Sequence, residues 1–145
     1  MRKIIQGAII VSIVWLSSGA AMAERLSVSA RIANIRSGPG TNYEILWKVE
    51  QYHPIAVIKK QGPWYHFRDF EGDEGWIHKS LVRKNATVIT AKDTCNVRKG
   101  AGTNHAIVFQ VEKGIPFLIL KRQKSWLQVK HADGDSGWIH KSLVW

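Results

Sequence analysis

The sequence predicts an all-β protein made of two small tandem β-barrels packed against each other. Three observations carry that expectation. One block of the chain is written twice, without gaps. Short runs alternate apolar and polar residues at the period of a strand, and clusters of Gly, Asn, Asp and Pro separate them. No window of about a dozen residues shows a helical period.

The chain has 145 residues. Residues 1–23 read as a leader. Arg2-Lys3 is basic, Ile4 to Leu16 is mostly apolar, and Ser17 to Ala23 is a small-residue stretch ending in an A-x-A pattern. This is the layout of a secretory signal peptide cleaved after Ala23. Its apolar core of about 13 residues is short of the ~20 that a membrane anchor needs. The only cysteine, Cys95, lies far from the leader, so a lipid-anchored precursor is excluded, as is any disulfide framework or four-cysteine zinc site.

The repeat follows. Ala33-Asn34-Ile35-Arg36-Ser37-Gly38-Pro39-Gly40-Thr41-Asn42 returns as Cys95-Asn96-Val97-Arg98-Lys99-Gly100-Ala101-Gly102-Thr103-Asn104. Gly75-Trp76-Ile77-His78-Lys79-Ser80-Leu81-Val82 returns as Gly137-Trp138-Ile139-His140-Lys141-Ser142-Leu143-Val144. The offset is 62 in both cases, and 23 of the 50 aligned pairs are identical. Two units are therefore expected, 24–83 and 84–145. Each is small enough to be marginal alone, so they should touch.

Within a unit, Leu26, Val28, Ala30 and Ile32 alternate with Ser27, Ser29 and Arg31 as a half-buried strand. Gly38, Gly40, Gly100 and Gly102 mark loops in which at least one glycine each is expected at positive φ. The apolar runs 55–58 and 117–120 follow Pro54 and Pro116, which suit a strand's first residue. Asp69 to Asp73 and Asp133-Gly134-Asp135 carry hairpin chemistry, best explained as solvated turns rather than paired catalytic carboxylates. Leu127, Val129, Ile77 and Ile139 should point inward, which sends Trp126, Trp76 and Trp138 outward. Cys95 stands where the first unit has Ala33, so a small buried core residue is expected, with intermolecular pairing as the alternative.

These residues resemble a known family. The order N-[IV]-R-x-G-x-G-T-N, an apolar strand, W-x-x-[FV] and D-x-G-W-I-H-K-S-L-V is similar to bacterial SH3-like (SH3b) domains, and to the tandem SH3-like proteins exported by Gram-negative bacteria. The resemblance implies small SH3-like barrels of five or six strands, no intrinsic catalysis, and a targeting or binding role toward peptidoglycan or other proteins. His78/His140 and Leu81/Leu143 replace the proline and tyrosine that line the Pro-rich-peptide groove of eukaryotic SH3 domains, so that ligand class is not carried over.

No catalytic group, metal site or cofactor is expected. His78 and His140 are equivalent, but nothing supplies further ligands at a recognisable spacing. The aromatics are the stronger candidates: Trp126 and Trp138, with Tyr43, Trp47, Trp64 and Trp76 in the first unit. Charge adds to them. The chain holds 21 Lys+Arg and 11 Asp+Glu, net +10. Residues 24–83 carry net +2 and residues 84–145 net +6. Lys121, Arg122 and Lys124 are expected in a turn beside Trp126, giving a basic aromatic site for an anionic or peptidic polymer. Trp145 is expected in the seam between units.

The leading functional expectation is a non-enzymatic, periplasmic or secreted module that binds cell-envelope material, peptidoglycan or its stem peptides. The alternative is an adaptor docking an envelope protein. A basic patch with aromatics is also a nucleic-acid footprint, but an exported chain makes that partner the less favoured one. No transmembrane anchor is expected. The oligomeric state is not written in the sequence.

Overall fold

A computed structural model describes residues 23–145. Residues 1–22, all but the last residue of the expected leader, lie outside the described residues. Thirteen strands form two antiparallel sheets. The first contains β1 (Glu24–Val28), β2 (Ile32–Arg36), β3 (Ile45–Glu50), β4 (Pro54–Gln61), β5 (Trp64–Arg68), β6 (Glu74–His78) and β7 (Val82–Arg83). Its order is β3-β2-β6-β5-β4-β1-β7. The second contains β8 (Thr87–Ile89), β9 (Thr94–Arg98), β10 (Ile107–Glu112), β11 (Pro116–Gln123), β12 (Trp126–Lys130) and β13 (Ser136–His140), in the order β10-β9-β13-β12-β11-β8. Lys79–Leu81 and Lys141–Leu143 each form one 3-10 turn, an element the sequence pattern did not announce.

The expected closed barrels are not found. In neither sheet do the two end strands pair with each other. Both sheets bend instead at register shifts that recur in the two units, between Ile35/Arg36 and Val57/Lys59 in one, and between Ile107/Phe109 and Ile119/Lys121 in the other. Such bulges increase twist and turn a strand around its core. Among the described residues, no strand is exchanged between sheets. Val144 bridges Thr90, and Trp145 exchanges two backbone hydrogen bonds with Ile89, repeating the β1–β7 pairing of the first unit.

The cores follow the alternation. Val28, Ile35, Ile55, Phe67 and Ile77 are buried in the first unit, and Cys95, Val97, Phe117, Val129 and Ile139 in the second. Phe67 stands opposite Val129 in the repeat and Ile55 opposite Phe117, so one large ring has changed strands while the pair keeps its volume. Cores tolerate such swaps well. Cys95 is fully buried with its thiol toward the Lys92 carbonyl (3.5 Å), and burial raises its pKa. A core thiol, not an exposed one, is what the structure holds.

Two local expectations fail. The strand through Ile32 breaks after Val28, and Ile32 begins β2 with 65% of its surface exposed. Gly38, Gly40, Gly100 and Gly102 are not among the positive-φ residues. Their need for glycine is steric: a Cβ at Gly38 would enter the Tyr43 ring, and one at Gly100 would stand 2.6 Å from His105 ring atoms. Positive φ falls instead at three equivalent pairs, Tyr52 and Gly114, Gly62 and Lys124, Gly72 and Gly134. Gly62-Pro63 and Lys124-Ser125 are two-residue hairpin turns in which only the first central residue has positive φ, the geometry that matches strand twist.

Candidate functional site, an aromatic groove on the outer sheet face

Cross-strand partners in an antiparallel ladder point to the same face. Gln61 pairs with Trp64, Trp64 with His78, His66 with Trp76 and Trp76 with Arg36, which gathers these side chains on the outer face of the first sheet. Trp64 meets the His78 ring edge-on at 5.2 Å, and Trp76 stacks flat on His66 at 4.7 Å. The His78 Nδ1 accepts from the Ser80 backbone N–H (3.2 Å) and lies 2.7 Å from its Oγ, so this nitrogen is committed to starting the 3-10 turn. His140 does the same with Ser142. Among the described residues, no group of three or more His, Cys, Asp or Glu is placed to hold a metal ion.

Trp64 and His78 form one wall of an open groove of about 450 Å³. Asn34, Arg36 and Lys48 line the rest, with exposed Ile32 at its rim and no acidic side chain among the lining. Arg36 is fixed by donating from Nη1 to the carbonyls of Thr41 and Tyr43, both at 3.0 Å. The arginine of the repeated N-x-R motif is thus a clamp on the glycine loop, and Arg98 repeats it on Thr103 and His105. The groove can take a small extended ligand, offering a ring for contact area and two cations for a carboxylate. Asn34, Arg36 and Lys48 were not singled out from the sequence. The repeated N-x-R signal was visible there, but its loop-clamping geometry was not.

The second unit keeps half of this arrangement. Trp126 meets His140 edge-on at 5.2 Å, while Gln110 donates to Asn96 (2.7 Å) at the positions of Lys48 and Asn34. Lys121, Trp126 and Trp138 share the outer face, since Lys121 pairs with Gln128, Gln128 with Trp138 and Gln123 with Trp126.

The basic residues predicted beside Trp126 do not form one loop. Lys121 and Arg122 belong to β11, and only Lys124 is in the turn. Arg122 pairs with Leu127, on the face opposite Trp126, and it lines the boundary between units together with Lys124 and Trp145. Strand alternation therefore splits the anticipated patch in two. The remaining candidates have local roles: Tyr43 covers Gly38 and Gly40, and Trp47 packs on the first core.

The two acidic turns are solvated at Glu71, Asp73, Glu74, Asp133 and Asp135, as expected, with one exception. Asp69 is buried, its carboxylate accepts from the backbone of Glu71 (3.0 Å) and Asp73 (2.9 Å), and burial raises its pKa. His131, its counterpart, reaches across the seam to Glu50 (Nε2 to Oε1, 2.9 Å).

Comparison with known proteins bears on most of the described residues. The bacterial SH3 domain family matches residues 29–84 and again 91–145. A Bacillus subtilis (strain 168) protein named "Putative N-acetylmuramoyl-L-alanine amidase YrvJ" is 23% identical over 122 residues, covering 77% of this chain and 23% of that relative. Two solved structures are similar at 12% identity: NlpC2 from Trichomonas vaginalis (TM-score 0.38, 85% of this chain and 48% of that one) and an NlpC/P60 family protein from Bacillus cereus ATCC 10987 (TM-score 0.41, 84% and 56%). The chain thus spans a quarter to about half the length of these proteins. Two matches that together cover most of the described residues, each taking in all but the first strand of one sheet, show that this chain belongs to the bacterial SH3 domain family and carries the domain twice.

Proposed function

We propose that the protein is an exported, non-enzymatic binding module for cell-envelope material, with peptidoglycan stem peptides as its ligand and the first unit's outer groove as the principal site. The observation that carries this reading is the groove itself. It presents Trp64 for contact and Arg36 and Lys48 for carboxylates, with no acid on its wall. Stem peptides are short and carry carboxylates, which this lining suits. The leader cleaved after Ala23 accounts for delivery to the periplasm or exterior, and the unit boundary at 83/84 leaves one sheet to each domain. The name of the Bacillus subtilis relative supports the envelope as the setting. Lys121, Trp126 and Trp138 supply a second contact face on the unit that carries net +6.

The test is co-sedimentation of residues 24–145 with purified sacculi across a salt series. The parent should pellet, less so as salt rises past about 0.15 M, where the Debye length is roughly 8 Å. Trp64→Ala and Lys48→Glu, checked for folding, should stay in the supernatant. A parent that never pellets would overturn this reading in favour of an adaptor for an envelope protein. If both variants pellet as the parent does, the groove is not the site.

A further inference from the structure

A second cavity, of about 490 Å³, lies between the units, lined by Arg25, Arg122, Lys124, Lys141 and Trp145, with no acidic side chain on its wall. Arg25 enters from β1. Its Nη2 donates to the carbonyls of Thr87 (3.2 Å) and Trp145 (2.8 Å), and its guanidinium carbon stands 4.2 Å over the Trp145 ring. The group is therefore held in place before any ligand arrives. Lys124 is presented from a hairpin tip at φ 53°, a conformation that lysine rarely adopts and that the first unit reserves for Gly62.

The repeat supplies an internal control. The first-unit counterpart of Arg122 is Lys60, which pairs with Glu24 at 2.7 Å. The counterpart of Glu24 is Ala86. The second unit has kept the cation and carries no carboxylate at that position, while Arg25 has been brought alongside. Burial, and after it the like charge of Arg122, pulls the Arg25 guanidinium below its ordinary range. Cations crowded in this way repel one another unless an anion is placed between them.

We propose that this seam cavity binds a compact anion with two or more adjoining charges, held by Arg25, Arg122, Lys124 and Lys141. A single charge would leave most of the repulsion standing, and the guanidinium forks suit phosphate or carboxylate oxygens. Phosphorylated glycans and polycarboxylates are two sources of that chemistry. Because residues from both units hold it, the anion strengthens the seam. The site is independent of the outer groove and stands whether or not the groove binds envelope material.

The experiment is titration calorimetry and thermal unfolding of residues 24–145 at low salt, about 20 mM, so that exposed charges are little screened. The probes are pyrophosphate, tricarballylate and inorganic phosphate. Pyrophosphate or tricarballylate should bind one per chain, raise Tm, and bind at least about tenfold more tightly than phosphate, the gain of one further charge-assisted contact. The tighter of the two assigns the source. Arg122→Gln and Lys124→Gly should each weaken binding by about tenfold. Lys124→Gly also relieves its backbone, so loss of fold would not explain the result. Lys130→Gln, with the same change of net charge on an exposed strand end, should bind as the parent does. Absence of heat and of any Tm shift with both polyanions would overturn the proposal. So would equal affinities for Arg122→Gln and Lys130→Gln, which would mark a net-charge effect.

Discussion

His53 occupies the place that Ile115 takes in the second unit, and that exchange has a measurable cost at low pH. Its side chain is 7% exposed, its ring meets Phe70 edge-on at 6.2 Å, and its Nε2 has no hydrogen-bond partner among the described residues. Burial depresses its pKa from 6.5 to about 4. The fold therefore holds the ring neutral while the unfolded chain still takes up a proton. His53 imposes no penalty above the unfolded value near 6.5, and stability is lost as pH falls from there toward 4. A shift of this size corresponds to roughly 3 kcal/mol, at 1.36 kcal/mol per pKa unit. The perturbation is His53→Ile, which the second unit shows to be compatible with this position. The assay is urea unfolding followed by tryptophan fluorescence, parent against variant, at about pH 7.5 and pH 4.5. The difference between the two proteins cancels the carboxylates common to both. It should grow in favour of the variant by roughly 2–3 kcal/mol on acidification. Parallel stabilities at the two pH values would refute the reasoning. They would mean that Glu50, Asp69, Glu71 and Asp73, which face the same cavity, hold the imidazolium inside the fold.

Two further predictions concern the seam and the sheet. His131 titrates in the opposite sense: although desolvation pulls its pKa down, hydrogen bonds to Glu50 and Asp133 prevail and raise it. Its contribution is full below the ordinary value near 6.5 and is lost as pH climbs through the raised one, so His131→Gln should flatten the parent's decline in urea midpoint between about pH 6 and pH 8. Gly137→Ala should destabilise more than Gly75→Ala. At both sites the added Cβ presses on a β-branched side chain, Val97 at Gly137 and Ile35 at Gly75, but at Gly137 it also meets the Arg98 carbonyl oxygen at 2.9 Å, a backbone atom that cannot rotate away. Overpacking costs of 1–3 kcal/mol, less the ~0.4–1 kcal/mol gained by removing glycine from the unfolded chain, put these near about 2 and 1 kcal/mol. A reversed order in urea midpoints would sink the argument.

Strand placement was legible because alternation is a direct record of which face is wet. Ile77, Ile139, Leu127 and Val129 are buried as their spacing required. The repeat gave the unit count, and Trp145 lies in the seam as expected. The glycine loops were misread because a sequence shows that a side chain is missing, not whether φ or a neighbouring ring demands it. The true positive-φ turns left a fainter trace: Tyr52 aligns with Gly114 and Lys124 with Gly62, so glycine in one copy marks the strained position in the other. Barrel closure depends on whether the end strands of a sheet reach each other, and no local residue pattern records that. Arg25 and Lys48 escaped because their significance lies in what stands across a cavity from them, far away in the chain.

The grip of Arg25 on Trp145 joins residues 120 positions apart. No other described side-chain hydrogen bond spans so much of the chain, so this one forms only when both units are brought together. The first unit has all its own strands by Arg83 and can fold ahead of the second. The second is tied to it through Glu50–His131 and Arg25–Thr87 as well, and the Arg25–Trp145 grip is the longest-range of these ties. Closing so long a loop is slow relative to local pairing. The Arg25–Trp145 contact therefore reports the docking of one unit on the other rather than the formation of either sheet.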